Sequence, residues 1–405
     1  MKSTQKVLII SELFYPSQTS TAYYITEIAN EIAKQSKKQI HVYCATPFKD
    51  SQEEFPKSDN LTIHRVDQGK GNKNKLTARI AKFIRISLKF CFSIIFAARK
   101  DDILFSVTNP AFTIPICAAL KSIFRFKYIL LAYDIFPENL VAAGLIQENG
   151  IIYKAAKAVF DWGYRKADTV ISIGRDMSEI LKQKGILEER IELIQNWADT
   201  ERIKYFPKKS NPIAKQYKLE NKVVFLFAGN FGRVQGIPEL IEVIDHVSAE
   251  NAAFLFIGDG AMRGVIDQYQ KEHPKKAVYC HPYLPMDQQN VFLNAGDVAV
   301  ATLNEKMFGL GVPSKSYYSL ASGHPIIFIG NKEAETAQII QEGHCGWQTS
   351  FKNIEKCAAL FDNICLLSEE ERNAIGKQAS DYLQLNFSKH IVLEKYSNLF
   401  KRFYQ

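Results

Sequence analysis

The sequence lacks the motifs that mark several common classes of protein. Its seven cysteines are scattered singly, without a C-x-x-C pair or a histidine at zinc-ligand spacing, so neither a disulfide scaffold nor a zinc module is expected. No apolar run approaches the roughly 20 residues of a membrane-spanning helix. The N-terminus enters an apolar stretch too early and too briefly for a signal peptide. We expect a cytoplasmic protein with reduced cysteines.

Two further absences restrict the possible ligands. No G-x-G-x-x-G fingerprint follows the first predicted strand, residues 6–11, which disfavours an NAD-type enzyme. No two aspartates are spaced D-x-D, a pattern that magnesium-dependent transferases often carry. We therefore predict neither a bound metal nor a cofactor.

Strand and helix patterns alternate along the 405 residues, with one break. Short apolar runs suit buried parallel strands, and segments of helical spacing separate them. Residues 204–222 are polar, contain two prolines and lack a period, which is typical of a linker. We predict an α/β protein with two Rossmann-like domains whose parallel sheets face each other across a cleft. Residues 1–203 form the first domain, joined by a C-terminal helix at 388–405, and residues 204–387 form the second.

A glycine-rich loop with Pro313, Ser314 and Lys315 lies between two apolar runs of the second domain. Proline can begin a helix, so Ser314 and Lys315 are predicted at a helix N-terminus that follows the carboxyl end of a strand. Open α/β sheets bind ligands at that edge, and a lysine there suggests a phosphate-bearing ligand. A surface lysine in an ordinary βα loop explains this stretch equally well.

A second glycine-rich loop, GNFGRVQG at residues 229–236, follows the first strand of the second domain. Its glycines let backbone N–H groups approach a ligand, and Arg233 supplies a fork of donors suited to phosphate oxygens. Arg233 and Lys315 both leave carboxyl ends of strands in one sheet. We therefore expect them to converge on a diphosphate.

Asp134 follows the predicted strand at residues 127–132 and precedes a proline-containing turn. An acid at the carboxyl end of a buried strand is well placed for chemistry, and equally well placed for a helix cap. Its position alone favours the cap.

Residues 70–100 contain nine lysines and arginines and no acid, in a chain whose net charge is +8. Residues 78–98 have a helical pattern, and an amphipathic helix of this kind suits an anionic membrane surface. A packed core helix with a basic outer face and a nucleic-acid surface are the alternatives, the latter without a recognised module. The basic residues before and in this helix are Lys70, Lys73, Lys75, Arg79, Lys82, Arg85 and Lys89. The apolar residues largely opposite them are Ile80, Phe83, Ile84, Leu88, Phe90, Ile94 and Ile95.

Several segments together resemble a known family. YDIFPENLVAAGLI, FAGNFGRVQGIPELIE, FIGDGAMR and GVPSKSYYSLASGHPIIFIG occur in family order, and the resemblance extends from near residue 6 to about residue 346. The chain resembles the retaining glycosyltransferases of family 4, which have the two-domain GT-B fold. It is most similar to bacterial surface-polysaccharide and fucosamine-transferase-like members.

The resemblance implies a nucleotide-diphosphate sugar in the second domain and an acceptor in the first. Arg233 and Lys315 would hold the diphosphate and stabilise its departure. Asp134 would orient the sugar or the acceptor, while the leaving phosphate takes the acceptor proton on the same face. The further residues implied in donor binding are Asn230, Gly232, Tyr283, Leu284, Ser314 and Glu335. Of these, Tyr283 and Leu284 would flank the base, and Glu335 would contact the ribose or the sugar.

The sequence departs from the family pattern at four places. Tyr318 replaces the usual glutamate five residues before Gly323, and Gln235 replaces the usual lysine after the arginine loop. Ser20 and Ala22 stand where the first domain usually has glycines, and Tyr133–Asp134 replace its usual histidine.

The leading hypothesis is a metal-independent glycosyltransferase of hexosyl or N-acetylhexosaminyl type. We expect it to move a sugar from a UDP-linked donor to a polyprenyl-diphosphate-linked or other glycan acceptor in capsule, O-antigen or exopolysaccharide synthesis. We expect it on the inner face of the cell membrane, held through residues 78–98, with no nucleic-acid partner. The alternatives are a non-catalytic GT-B protein that binds a nucleotide sugar or scaffolds an assembly, and a nucleotide-sugar epimerase.

Overall fold

The computed structural model describes residues 5–47, 57–68, 76–148 and 150–404, with side chains from residue 81 onward in the helix that begins at Leu76. The chain divides into two compact units. The first comprises Met1–Gln195, Gly309–Gly311 and Val392–Gln405, and the second comprises Asn196–Phe308 and Val312–Ile391.

Within the described residues, a parallel sheet of seven strands in the order β3-β2-β1-β4-β5-β6-β7 forms the centre of the first unit. The strands are β1 (Val7–Ser11), β2 (Ile40–Ala45), β3 (Leu61–Val66), β4 (Ile103–Val107), β5 (Lys127–Ala132), β6 (Thr169–Ser172) and β7 (Ile191–Leu193). The helices are α1 (Ser20–Gln35), α2 (Leu76–Ala97), α3 (Thr113–Phe124), α4 (Glu138–Ala142), α5 (Ile151–Lys166) and α6 (Arg175–Gln183).

A parallel sheet of six strands in the order β10-β9-β8-β11-β12-β13 forms the centre of the second unit. Its strands are β8 (Val223–Asn230), β9 (Ala252–Asp259), β10 (Val278–His281), β11 (Val298–Thr302), β12 (Ile326–Ile329) and β13 (Gly346–Thr349). Its helices are α7 (Pro212–Gln216), α8 (Ile237–His246), α9 (Arg263–Glu272), α10 (Gln289–Leu293), α11 (Lys315–Ala321), α12 (Glu335–Gly343), α13 (Ile354–Leu366) and α14 (Glu369–Asn386). The last helix, α15 (Lys389–Lys401), carries the chain back into the first unit from Val392 onward.

The apolar runs in the sequence become buried strands because helices cover both faces of each sheet. Every residue of β1 and β4 is buried, as expected for central parallel strands. In the second unit, one face of the sheet packs against α8 and α13 in a core that includes Phe225 and Phe361. The opposite face builds a separate core around Val224, Leu226 and Leu255.

Each sheet has one point at which the strand order reverses. In the first unit it lies between β1 and β4, and in the second between β8 and β11. Loops at the carboxyl ends of the strands diverge there, and the resulting crevice is where open α/β sheets bind ligands. The second unit therefore places the loops after β8 and β11 on either side of such a crevice.

Helix α2 contains most of the predicted amphipathic segment, but its apolar residues do not share one environment. Phe90 and Ile94 are buried against the first unit, whereas Ile84 and Leu88 point outward. Lys82 turns inward to an ion pair with the buried Glu12 at 2.6 Å. Lys70, Lys73, Lys75 and the side chains of Arg79 and Ile80 lie outside the described residues. Across the described helices, none combines the length and the apolar character needed to cross a bilayer.

Candidate functional site

Two glycines bring the ends of β8 and β9 unusually close together. Gly229 lies opposite Gly258 in the sheet, and both have positive φ angles, 130° and 150°. A Cβ atom on Gly258 would lie 1.9 Å from the carbonyl oxygen of Gly229, so no larger residue fits. The Phe231 N–H donates to the Asp259 carbonyl at 2.9 Å. The two loops after these strands therefore form one glycine-lined backbone surface.

Arg233 stands beside this surface. It begins a 3-10 turn that is bonded to residues at the end of β11. The Thr302 hydroxyl donates to the Gln235 carbonyl, and the Asn304 N–H donates to the Val234 carbonyl at 3.0 Å. Because β11 is the neighbour of β8, these bonds hold the turn over the reversal point of the sheet. The Arg233 side chain is exposed and makes no ion pair within the part of the chain that the structure describes.

Lys315 lies on the other side of the reversal point, at the start of α11. Its Nζ lies 3.4 Å from the centroid of the Phe227 ring, which projects from β8. The Nζ is buried and finds no hydrogen-bond acceptor among the described residues. Burial lowers the pKa of this ammonium well below its usual range. A buried ammonium over an aromatic face, without a carboxylate or carbonyl, is short of negative charge.

The remaining predicted donor residues all lie at or after carboxyl ends of strands in the same sheet. Asn230 is the last residue of β8 and its side chain is exposed, and Gly232 lies in the loop that follows. Tyr283 follows β10 and is about half exposed, while Leu284 packs against the second core. Ser314 precedes α11 without capping it through its side chain. Glu335 begins α12 and is buried.

In the first unit, Asp134 follows β5 and is held by several hydrogen bonds. Its N–H donates to the Thr108 hydroxyl at 3.2 Å, and its Oδ1 accepts a bond of 2.8 Å from the Asn139 amide. The Tyr164 hydroxyl donates to the Asp134 carbonyl at 3.3 Å. Burial raises the pKa of the Asp134 carboxyl to about 6, although the Asn139 bond opposes the rise. This carboxyl therefore changes charge close to neutral pH.

A buried ion-pair cluster supports the loop after Asp134, and the sequence analysis did not find it. The Lys184 side chain is 1% exposed and lies 2.6 Å from Glu138 and 2.7 Å from Asp161. Its Nζ also donates to the Phe136 carbonyl at 3.1 Å. Lys157 bridges the same two acids from the surface. A lysine, two acids and a loop widely separated in sequence give no local signal, so only the tertiary structure reveals them.

No group of three or more histidine, cysteine or acidic side chains in the described residues could hold a metal ion. Arg233 and Lys315 follow β8 and β11, the two strands that flank the reversal point of the second sheet. A cationic side chain and glycine-lined backbone N–H groups are the chemistry that favours phosphate.

Family models match both halves of the chain. Residues 21–202 match "Glycosyltransferase Family 4", and residues 209–382 match "Glycosyl transferases group 1". The probable glycosyltransferase WbjE of Pseudomonas aeruginosa is 33% identical over 97% of this chain and 96% of its own length. The putative colanic acid biosynthesis glycosyl transferase WcaI of Escherichia coli is 20% identical over 97% of this chain and 99% of its own.

Solved structures show the same fold. The crystal structure of Anabaena Alr3699/HepE in complex with UDP has a TM-score of 0.70 at 14% identity, covering 98% of this chain and 100% of that one. The predicted α/β architecture of two Rossmann-like domains is thereby confirmed, and the fold is GT-B. With a 33% identical relative aligned along nearly its whole length, and each half matched by a glycosyltransferase model, the chain belongs to the glycosyltransferases.

Proposed function

We propose that this protein transfers a sugar from a UDP-linked donor to a lipid-linked glycan acceptor, with retention of configuration. The observation that carries the proposal is the buried Nζ of Lys315, which finds no hydrogen-bond acceptor in the part of the chain that the structure describes. It lies over Phe227 of β8, the strand that leads into the glycine-lined loop and Arg233. A diphosphate supplies the missing negative charge. The UDP named for the HepE complex is a ligand of that chemistry.

The two cations account for how the nucleoside diphosphate leaves the sugar. When the bond between the sugar and the diphosphate breaks, negative charge grows on the leaving phosphate, and Arg233 and Lys315 stabilise it without a metal. In this scheme the leaving phosphate accepts the acceptor's proton on the same face of the sugar. Asp134 orients the sugar or the acceptor rather than attacking it.

Donor binding is assigned to the domain of residues 204–387, and acceptor binding to residues 1–203 with 388–405. Asn230, Gly232 and Ser314 line the diphosphate, Tyr283 and Leu284 flank the base, and Glu335 contacts the ribose or the sugar. What supports these roles is their common place at the carboxyl ends of strands in one sheet.

The acceptor is a polyprenyl-diphosphate-linked or other glycan of capsule, O-antigen or exopolysaccharide synthesis, and the sugar is a hexose or an N-acetylhexosamine. WcaI, named for colanic acid biosynthesis, supports the polysaccharide assignment. The protein would work on the inner face of the cell membrane, which residues 78–98 would contact.

Thermal stabilisation by a panel of nucleotides tests the donor site. A ligand that binds the folded protein raises its melting temperature by mass action. We expect UDP to stabilise the wild type, with the effect largely lost in Lys315→Ala and in Arg233→Ala, and unchanged in the control Lys271→Ala, an exposed lysine in the last turn of α9. If no nucleoside diphosphate stabilises the wild type, the donor assignment is wrong. Turnover of UDP-sugars with lipid-linked acceptors, with and without EDTA, then tests transfer and its metal independence.

A further inference from the structure

Helices α2, α3 and α5 of the first unit pack side by side. Helix α2 packs over β1, β2 and β3, and α3 packs over β4 and β5. Helix α3 also packs against α2 and against α5, with the rings of Phe112 and Phe160 6.5 Å apart. The outward sides of α2, α3 and α5 therefore belong to one surface, which we call the three-helix face.

The outward side of α2 is apolar. Ile84, Leu88, Phe92 and Phe96 recur every four residues, and all are exposed, Phe96 by 76%. The residues that anchor α2 are on its other side, where Ile86, Phe90 and Ile94 are buried. The four exposed side chains are turned away from the core of the unit. They therefore do not contribute to its folding, although they are large, apolar and at helical spacing.

Helices α3 and α5 continue the same pattern. On α3, Ile123 is 70% exposed, and Phe112, the residue just before this helix, is exposed as well. On α5, Ile151, Val159 and Trp162 point outward, with Ile151 exposed by 87%. Soluble monomers rarely expose contiguous apolar patches beyond a few hundred Å². Apolar side chains from three adjacent helices indicate a surface that is covered when the protein works.

The charges on this face have one sign. Helices α2 and α3 contain no acid, and the one acid of α5, Asp161, is buried and paired with Lys184 and Lys157. Arg85, Lys154 and Arg165 are exposed among the apolar side chains. A protein partner of ordinary composition would offer both signs of charge, whereas an anionic bilayer offers negative charge above an apolar interior.

A basic pocket lies at the carboxyl ends of α3 and α5. Its volume is about 460 Å³. Asp168 contributes the one carboxylate of the lining and is paired with Lys121 at 2.6 Å. The cationic side chains of the lining are Lys121, Arg125, Lys127, Arg165, Lys166 and Arg190. The pocket adds concentrated positive charge at the edge of the apolar face.

We infer that the three-helix face as a whole, and not α2 alone, docks onto an anionic phospholipid bilayer. The apolar side chains of the three helices enter the interface between headgroups and acyl chains. The surrounding cationic side chains contact anionic headgroups, and the basic pocket binds one anionic headgroup. The inference builds on the proposed function, because a lipid-linked acceptor is reached from such a surface.

Sedimentation with vesicles tests the extent of the face. The probe is phosphatidylglycerol mixed with phosphatidylcholine, compared with phosphatidylcholine alone. We expect Phe92→Glu on α2, Ile123→Glu on α3 and Val159→Glu on α5 each to weaken binding to the anionic vesicles at least about tenfold. Leu385→Glu, at an exposed leucine of α14 in the second unit, is the matched control and should bind like wild type. Wild-type binding by both Ile123→Glu and Val159→Glu would leave α2 as the sole anchor and overturn the inference.

Trp162 provides an internal probe of insertion. The chain has three tryptophans, and Trp197 is buried. Brominated acyl chains should quench the emission of the wild type bound to anionic vesicles, and Trp162→Phe should remove most of that quenching. If the bound protein is not quenched, the face does not enter the bilayer.

Two substitutions test the basic pocket. Lys166→Gln and Arg190→Gln should each weaken binding to anionic vesicles roughly fivefold. Wild-type binding by both variants would remove the pocket from the docking surface.

Comparing UDP binding with vesicle binding separates this inference from the proposed function. If UDP stabilises the protein but anionic vesicles do not bind it, the docking inference fails alone. If vesicles bind but UDP does not, the assignment of a UDP-linked donor fails alone. Sedimentation velocity without lipid tests a second copy of the chain as the occupant. A dimer that Phe92→Glu converts to a monomer would overturn the bilayer assignment.

Discussion

The Nζ of Lys315 lies 3.4 Å from the centre of the Phe227 ring, and the ring joins a strand and a helix on opposite sides of the reversal point of the second sheet. The aromatic face gives the ammonium partial stabilisation but no hydrogen bond. Burial therefore keeps the pKa of Lys315 low until an anion arrives.

Binding of UDP should consequently take up a proton at alkaline pH. Burial lowers the pKa of Lys315 in the free protein well below its usual range, and a bound diphosphate raises that pKa and favours the charged ammonium. Titration calorimetry in two buffers of different ionisation enthalpy should therefore show net proton uptake on UDP binding at alkaline pH. Lys315→Met should abolish the difference, and the exposed control Lys271→Met should retain it. Equal binding enthalpies in both buffers for the wild type would show that Lys315 is already charged.

The same burial predicts how Lys315 affects stability. Its pKa is lower in the folded state than in the unfolded state, so the unfolded chain binds more protons between these two pKa values. Its contribution to stability therefore rises with pH across that window. Lys315→Met should raise the melting temperature of the free protein at pH 7, and the gain should shrink as the pH approaches 10.5. A destabilised Lys315→Met at pH 7 would contradict this.

Asp134 should give activity a midpoint near pH 6. Its pKa is raised to about 6 in the folded state, so kcat/KM should fall below that pH if the carboxylate orients the substrate. The folded state binds the proton more tightly, so stability falls as pH rises from about 4 to 6. Asp134→Asn should then be more stable than wild type by roughly 2–3 kcal/mol at pH 8, and nearly equal to it at pH 4, while losing activity.

Asn139 offers a second test of the same carboxyl. Its amide donates to Asp134 and favours the charged form. Asn139→Ala should therefore move the midpoint of the pH–rate profile above that of the wild type. An unchanged midpoint would mean that another group controls the profile.

Lys184 should act as a positioning residue. Lys184→Met leaves Glu138 and Asp161 with one cation, at an expected cost of about 3–5 kcal/mol. Lys157→Met, which removes the more exposed partner, should cost at most about 1 kcal/mol. In the destabilised variant, measured well below its melting temperature, kcat should fall while the affinity for UDP is unchanged, because the donor residues lie in the second unit. Loss of UDP binding would argue against this division of roles.

The glycine pair at the ends of β8 and β9 should be intolerant of any side chain. Gly258→Ala forces a contact with the Gly229 carbonyl, so we expect a loss of at least about 2 kcal/mol and weak UDP binding. Gly264→Ala is the matched control, because a Cβ there meets nothing within 4 Å. In α9 that alanine should be neutral or stabilise by about 0.5 kcal/mol. Urea unfolding of both variants gives the comparison.

The two sheets could be predicted from sequence because parallel strands buried on both faces appear as uninterrupted apolar runs. Residues 223–228 and 326–329 are examples, and both are strands. Arg233 comes shortly after β8, so the same logic puts it at the carboxyl end of that strand. A long loop separates Lys315 from β11, and the proline before α11 is what predicts its place at a helix start. The contact between Lys315 and Phe227 could not be predicted, because it depends on which neighbouring strand offers a ring beneath the ammonium.

The orientation of α2 shows another limit of sequence reasoning. A helix with large apolar residues on more than one side gives a periodic pattern, but the pattern does not say which side faces the sheet. Phe90 and Ile94 are inward, and Phe92 and Phe96 are outward. The outward apolar residues on α3 and α5 were not recognised either, because a buried helix and a lipid-facing helix have similar composition.

The way the chain returns to the first unit also determines which unit is fully synthesised first. Phe400 of α15 packs edge-on against Phe105 at 5.4 Å, and the Gln5 side chain donates to the Phe403 carbonyl at 3.0 Å. The first unit thus needs residues made after Ile391, whereas every residue of the second unit has been made by then. On the ribosome, the unit that begins second is complete first. The core around Phe105 therefore stays partly exposed until α15 leaves the exit tunnel.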